Sequence, residues 1–303
     1  MDLLKTLCSI HAPSGNEGAL KDFILEYINA NQKNWKVKPA IFSGEYFQDC
    51  IVLIFGKPRT AVFAHMDNIG FTVRYGKQLV KIGSPRTENG YILTGEDSQG
   101  KIECILRKSE DGDLTYDFFR EIDRGTNLSF KSIWREDDNT VQSCYMDNRL
   151  GVWTALRLCE TITDGAIVFS CWEEHGGGSV PFLTKFLWEN YQIRQALIAD
   201  ITWVTEGVFP GKGVAISMRD TGLPRRSFVE KIINMARESG IPFQLEVESA
   251  GGSDGTEIQK QPYPIDWIFI GAPEEFVHSP DEKVDKSDVK SMVEIYCFLI
   301  KRL

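Results

Sequence analysis

Three short apolar runs in this chain each stop on residues that carry chemistry, and they restrict the fold more than any other feature. Residues 61–64 end at His65, residues 166–171 lead into Glu173 and Glu174, and residues 196–199 end at Asp200. Short apolar runs without polar alternation read as strands buried on both faces. Further strand-like runs lie at 51–55, 214–218, 243–247 and 267–270. Helical spacing fills the intervals: 151–161, 180–191, 226–239 and 287–303, with the first forty residues also read as helical from Leu20, Phe23, Ile24, Tyr27 and Ile28. Strands alternating with helices imply an α/β sheet covered on both faces. A charged residue finishing a buried strand falls at the carboxyl edge, where open α/β sheets bind their ligands.

The texture changes between residues 72 and 139. Glycines, charges and short alternating runs such as Lys101-Ile102-Glu103-Cys104-Ile105-Leu106 predict small antiparallel strands joined by turns. The expected organisation is a catalytic α/β domain made of residues 1–71 and 140–303, interrupted by a small β-domain at 72–139. An apolar fraction of 42% over 303 residues is enough for a large core without staples. The net charge of −9 argues against nucleic acid or an anionic membrane as partner. No apolar run approaches membrane length, no basic and apolar leader opens the chain, and the seven cysteines are scattered without a CxxC pair. These features predict a cytoplasmic protein with reduced thiols.

Only four histidines are present. His65 is followed two positions on by Asp67, on the same side of an extended chain, so Asp67 can bond one ring nitrogen and leave the other free. Alone, that triplet describes an ordinary strand-end histidine. Glu173 and Glu174 would repel each other at the end of a buried strand unless cations compensate them. Asp147, before the helix at 151–161, has the ordinary reading of an N-cap. His278 lies shortly before the closing helix. Together two imidazoles and four carboxylates stand at element ends spread over most of the chain, a donor set suited to a pair of Zn²⁺ or Co²⁺ ions. His11 reads as a surface or packing histidine, His175 as a loop residue beside Glu173 that either touches substrate or is solvated, and Glu173 and Glu174, as strand neighbours, as facing opposite sides.

Seven segments carry a resemblance to a known family: AHMDNIGF at 64–71, MDNRLG at 146–151, WEEHGGG at 172–178, IADIT at 198–202, GKG at 211–213, GGSDG at 251–255 and VHSPDEKVD at 277–285. In this order they resemble the tetrahedral, TET-type glutamyl/leucyl/lysyl aminopeptidases, cocatalytic dinuclear metallopeptidases. The resemblance implies a mixed sheet sandwiched by helices, in a phosphorylase/hydrolase-like peptidase fold with a small inserted β-domain. It implies that two divalent ions and the water they activate hydrolyse N-terminal residues from peptides.

By the same resemblance His65 binds one metal and Asp67 orients it, Asp147 bridges the two ions, and Glu173 is the general base. Glu174 falls on the His65 side, while Asp200 and His278 complete the second metal. Peptides are the expected substrates, and homo-oligomers from dimer to dodecamer the expected assembly. The chain departs from the family pattern at Asn68, where Glu is common, at His175–Gly178, and at Glu275-Phe276, where Arg-Tyr often stands. A carboxylate at Glu275 would disfavour acidic N-terminal side chains. Two other readings are a carboxypeptidase or deacylase of the same clan, and a non-catalytic metal-binding assembly protein.

Overall fold

A computed structural model describes residues 1–303. Its larger sheet has eleven strands, nine of them in the order Ala40–Gly44, Gln48–Phe55, Gly165–Ser170, Thr60–His65, Gln195–Trp203, Asp266–Glu275, Lys283–Asp285, Thr140–Gln142 and Arg135–Glu136. The other two, Val214–Ser217 and Phe243–Glu246, branch from Asp266–Glu275. The four central strands, Gly165–Ser170, Thr60–His65, Gln195–Trp203 and Asp266–Glu275, are mutually parallel. Almost every residue in them is buried, which is why their sequences are continuous apolar runs rather than alternating ones. The mixed α/β class is as the sequence implied.

Helices pack on this sheet in two groups. Met146–Cys159, Lys286–Ile300 and Arg226–Ser239 contact one another or the central strands, and Val180–Tyr191 packs with Asp254–Gln259. Gly151, on the first of these, has no room for a side chain: a Cβ would lie 2.1 Å from the Ala199 carbonyl oxygen. That close approach seats the helix start against the strand that carries Asp200.

A second sheet of six strands runs from Gly70–Val73 to Asn127–Phe130, each neighbouring pair antiparallel, around its own core of 14 buried residues. The next two strands, Arg135–Glu136 and Thr140–Gln142, already belong to the large sheet.

Several boundaries differ from the sequence reading. The first forty residues are not continuously helical: helices span Asp2–Cys8 and Gly18–Asn31, and a strand opens at Ala40. Asp200 does not end its strand, which continues to Trp203 because Ile201 and Thr202 are as buried as the residues before them. Strand Gly165–Ser170 stops before the paired glutamates.

Candidate active site

The parallel register brings the chemistry together at one edge. Ser170 pairs with His65, and Asp200 lies two residues beyond the Ile198–Phe63 pair, as His65 does. After Ser170 the chain reverses through Trp172 at φ 61°, which turns Glu173 and Glu174 back over the strand ends. His278 is delivered by the turn that follows strand Asp266–Glu275. Asp147 sits in the first turn of helix Met146–Cys159 with extended backbone, φ −76° and ψ 105°, and does not cap that helix with its side chain. Its peptide bond to Asn148 is cis.

Two three-residue donor sets result, sharing one carboxylate. His65 Nε2 lies 3.2 Å from Asp147 Oδ1 and 3.5 Å from Asp200 Oδ2. His278 Nε2 lies 3.2 Å from both Asp147 Oδ2 and Glu174 Oε2. The sets are therefore His65–Asp147–Asp200 and Asp147–Glu174–His278. This exchanges the partners expected from the resemblance: Asp200 accompanies His65, and Glu174 accompanies His278. The reason is topological, since strands Thr60–His65 and Gln195–Trp203 are direct neighbours, whereas Glu174 lies beyond the reversal at Trp172. Glu173 belongs to neither set; its Oε2 is 3.9 Å from His65 Nε2. Both glutamates line the same cavity, so the opposite-sides expectation fails, because they stand in a turn and not in a strand.

The electrostatics show how tightly the groups depend on compensation. Burial and neighbouring carboxylates push Glu173 well above the usual range, Glu174 to about 7 and Asp200 to about 6. Burial opposes charge on His65 and His278 too, but the carboxylates outweigh it: Asp200 leads for His65, and Glu174 and Asp147 hold His278 protonated up to about 12. Burial also works against the Asp147 carboxylate, but the two imidazoles hold it well below its ordinary value. Left to themselves, the groups neutralise one another only through protons. A divalent cation in each donor set satisfies the same demand, and Glu174 Oε1 is buried without any partner. The donor chemistry fits a pair of divalent ions.

A surrounding layer fixes these side chains. Asp67 is fully buried; its carboxylate lies 3.4 Å from His65 Nδ1 and accepts from Ser14 Oγ at 2.6 Å and from the Glu173 and Glu174 amides at 3.1 Å. Glu282 accepts from the backbone amides of Asp147 and His278. Ser84, at the edge of the small sheet, lies 2.8 Å from His278 Nδ1, and the Gly83 amide donates to His175 Nδ1. His175 is exposed in its turn, as the solvated reading expects, and in addition accepts this one bond from the loop after the small sheet's strand. His11 is half-buried, and burial, with Arg149 nearby, lowers it to about 4.

Arg149, wholly buried, donates to the Leu7, Met66 and Ile10 carbonyls and to Asn68 Oδ1. Asn68 is therefore the neutral acceptor of a guanidinium. The GKG segment lies away from the site, its Gly211 and Gly213 amides donating to Asp288. Ser14, Ser84, Arg149 and Glu282 were not legible as site residues, because each acts through contacts distant in sequence.

The five donors, except His65 and together with Glu173, open into a cavity of about 350 Å³. It is also lined by Thr202, Asp220, Glu246 and Glu248 and by Gly251 and Gly252. Glu275 is absent from it: its carboxylate pairs with Lys283 Nζ at 2.6 Å across the Glu275–Lys283 strand pair. The expectation that Glu275 sets specificity is withdrawn on that geometry.

This fold and site define a class of metallopeptidase. The family model described as M42 glutamyl aminopeptidase matches residues 119–295, more than half of the chain, and the chain belongs to this family of metal-dependent aminopeptidases. A curated protein of Acetivibrio thermocellus, named provisionally as an aminopeptidase, is 26% identical over 97% of this chain and 96% of its own. Among solved structures, a TET aminopeptidase from a marine sediment archaeon of the Thaumarchaeota superposes with a TM-score of 0.87 at 18% identity, covering 100% of this chain and 97% of that one. The Pyrococcus horikoshii TET1 peptidase, described as assembling into a tetrahedron or a large octahedral shell, gives 0.84 at 20% identity, with 100% and 99% coverage. No helix here is long and apolar enough to cross a membrane.

Proposed function

We propose that this aminopeptidase works with two Zn²⁺ or Co²⁺ ions, one held by His65, Asp147 and Asp200 and the other by Asp147, Glu174 and His278. The observation that carries the reading is Asp147, which offers one carboxylate oxygen to each imidazole at 3.2 Å. When bound, such a pair would supply Lewis acidity, lowering the pKa of a water and polarising the scissile carbonyl.

The chain's own residues do the rest. Asp67, immobilised by Ser14 and two amides, engages His65 Nδ1 and leaves Nε2 directed at the donor set. Glu173 accepts no hydrogen bond and belongs to neither set, so its carboxylate is free to take the proton of the attacking water and return it to the leaving amine. Burial raises its pKa, which makes it a stronger base for that transfer. The carboxylates around the cavity suit a substrate that enters with a free α-ammonium group, as an exopeptidase requires.

The test is a panel of free and N-acetylated aminoacyl p-nitroanilides assayed after loading with Zn²⁺, Co²⁺ or Mn²⁺. Cleavage restricted to free amines supports the reading; equal cleavage of blocked substrates points to a deacylase of the same clan. Binding of metal with no turnover of any substrate points to the non-catalytic assembly protein.

Two broader assignments belong here. The inserted domain expected at 72–139, whose sheet runs from Gly70–Val73 to Asn127–Phe130 while Arg135–Glu136 pairs in the large sheet, has a role in homo-oligomerisation, anywhere from dimer to dodecamer. Exposed Tyr75, Val80, Phe119 and Ile133 in or beside the second sheet support that role. Light scattering of the intact chain measures the assembly. All seven cysteines are free and six are buried, which supports a reducing, cytoplasmic location.

A further inference from the structure

The carboxylate assigned as the base, Glu173, accepts no hydrogen bond, so the backbone that carries it decides where it stands. That backbone is the turn after strand Gly165–Ser170, with Trp172 at φ 61°. Side chains take four of its amides in succession. Cys171 N donates to Ser179 Oγ at 3.0 Å, Trp172 N to Glu17 Oε1 at 3.2 Å, and Glu173 N and Glu174 N to the two oxygens of Asp67 at 3.1 Å. Ser179 lies just beyond the turn and Asp67 just beyond His65, whereas Glu17 comes from the loop before helix Gly18–Asn31.

Glu17 is wholly buried and does not cap that helix with its side chain. The loop before it is already held by backbone bonds: Asn16 N donates to Pro13 O at 2.8 Å, Ser14 N to Asn68 O at 3.2 Å, and Asn68 N to Ala12 O at 3.0 Å. Glu17 Oε1 accepts from Gly15 N at 2.9 Å as well as from Trp172 N, while Oε2 is buried with no partner. Burial, and after it the Asp67 carboxylate, push its pKa up to about 7 against the pull of these amides. Charge is therefore costly at this position. What the side chain contributes is one acceptor oxygen at one length. The Trp172 ring also packs beside Gly15 and Gly178.

We propose that Glu17 is a positioning residue for the reaction, fixing through the Trp172 amide the turn that aims Glu173 into the cavity. The proposal rests on the aminopeptidase reading, in which Glu173 moves the proton. Glu17 and Asp67 together hold three successive amides of one turn, and the loop that carries Glu17 is bonded to the segment that carries Asp67. One frame thus locates both the base and His65. Without the Glu17 oxygen, Trp172 N loses its acceptor at the residue where the chain reverses. A reacting group displaced by about 1 Å costs up to about 100-fold in rate. Glu17 is not among the residues lining the cavity, so substrate binding is left as it was.

Two substitutions separate reach from charge. Glu17→Gln keeps the length and an acceptor oxygen without the charge, and Glu17→Asp keeps the charge one methylene short of Trp172 N. On metal-loaded protein with aminoacyl p-nitroanilides, Glu17→Asp is expected to lower kcat about 10- to 100-fold, with KM within about twofold and metal content unchanged. Glu17→Gln is expected to stay within about threefold of the wild type. Hydrogen exchange over a peptide spanning residues 171–176, read by mass spectrometry, needs no turnover: exchange quickens in Glu17→Asp and not in Glu17→Gln. Glu17→Ala, which removes the buried charge altogether, repeats the comparison should the shorter acid fail to fold. A wild-type rate in the shortened variants, a loss carried by KM or by metal content, or a loss in Glu17→Gln as large as in Glu17→Asp overturns the proposal while leaving the aminopeptidase intact. If the wild type cleaves no p-nitroanilide, the aminopeptidase reading fails by itself, and unaltered exchange in Glu17→Asp then overturns the Trp172 contact as well.

Discussion

Because Asp147 is counted in both donor sets, its removal has an arithmetic consequence that removal of any other ligand lacks. In Asp147→Ala each set retains two donors, His65 with Asp200 and His278 with Glu174; in Asp200→Ala one set is intact. An ion that binds only the folded chain stabilises it by about 2.7 kcal/mol at 100 times its Kd. Two ions then contribute about 5 kcal/mol to the wild type. Losing a direct ligand weakens binding at least as much as losing a supporting one, about 100-fold, which leaves each damaged set about 0.4 kcal/mol at the same metal concentration.

Asp200→Ala therefore keeps about 3 kcal/mol of metal stabilisation and Asp147→Ala about 0.8. At about 2–4 °C per kcal/mol for a chain of this size, metal raises Tm by about 10–20 °C in the wild type, 6–12 °C in Asp200→Ala and 2–3 °C in Asp147→Ala. Thermal melts with and without Zn²⁺, read beside elemental analysis of dialysed protein, give both numbers. Equal metal stoichiometry and equal shifts in the two variants would refute the shared carboxylate and with it the two-set geometry.

Three further outcomes are expected. Glu173→Gln retains both ions by elemental analysis but loses on the order of 10²–10⁴ in kcat, since the amide cannot accept a proton; a wild-type rate in the metal-loaded variant removes Glu173 as the base. Ser84→Ala frees His278 Nδ1 from its 2.8 Å partner and weakens the His278–Glu174 set about tenfold while sparing the other, measured by competition with a chelator. Arg149→Met strips its donors from three backbone carbonyls and Asn68, so urea denaturation is expected to show a loss of about 3–5 kcal/mol; a change below 1 kcal/mol contradicts the buried network.

The sequence by itself determined where the buried strands run, since an apolar run covered on both faces announces its strand, but it placed the strand end correctly only at His65. That is why His65 was legible, and why Val180–Tyr191 and Arg226–Ser239 were placed to the residue by their periodicity. Asp200 shows the limit of the signal: Ile201 and Thr202 continue its strand, and only pairing with Asp266–Glu275 reveals it. Which donors share a metal was decided by strand adjacency, a property of topology that no local pattern encodes, and the sequence reading assigned Asp200 and Glu174 to the wrong imidazoles. Glu275 looked like a specificity residue because it stands near His278 in the chain, yet strand pairing turns it onto Lys283. The carboxylates of Asp220, Glu246 and Glu248, which also line the cavity, come from two strand ends that meet only in space. Burial, register and the loss of water at a site are long-range quantities, so the tertiary structure alone decided which side chains line this cavity.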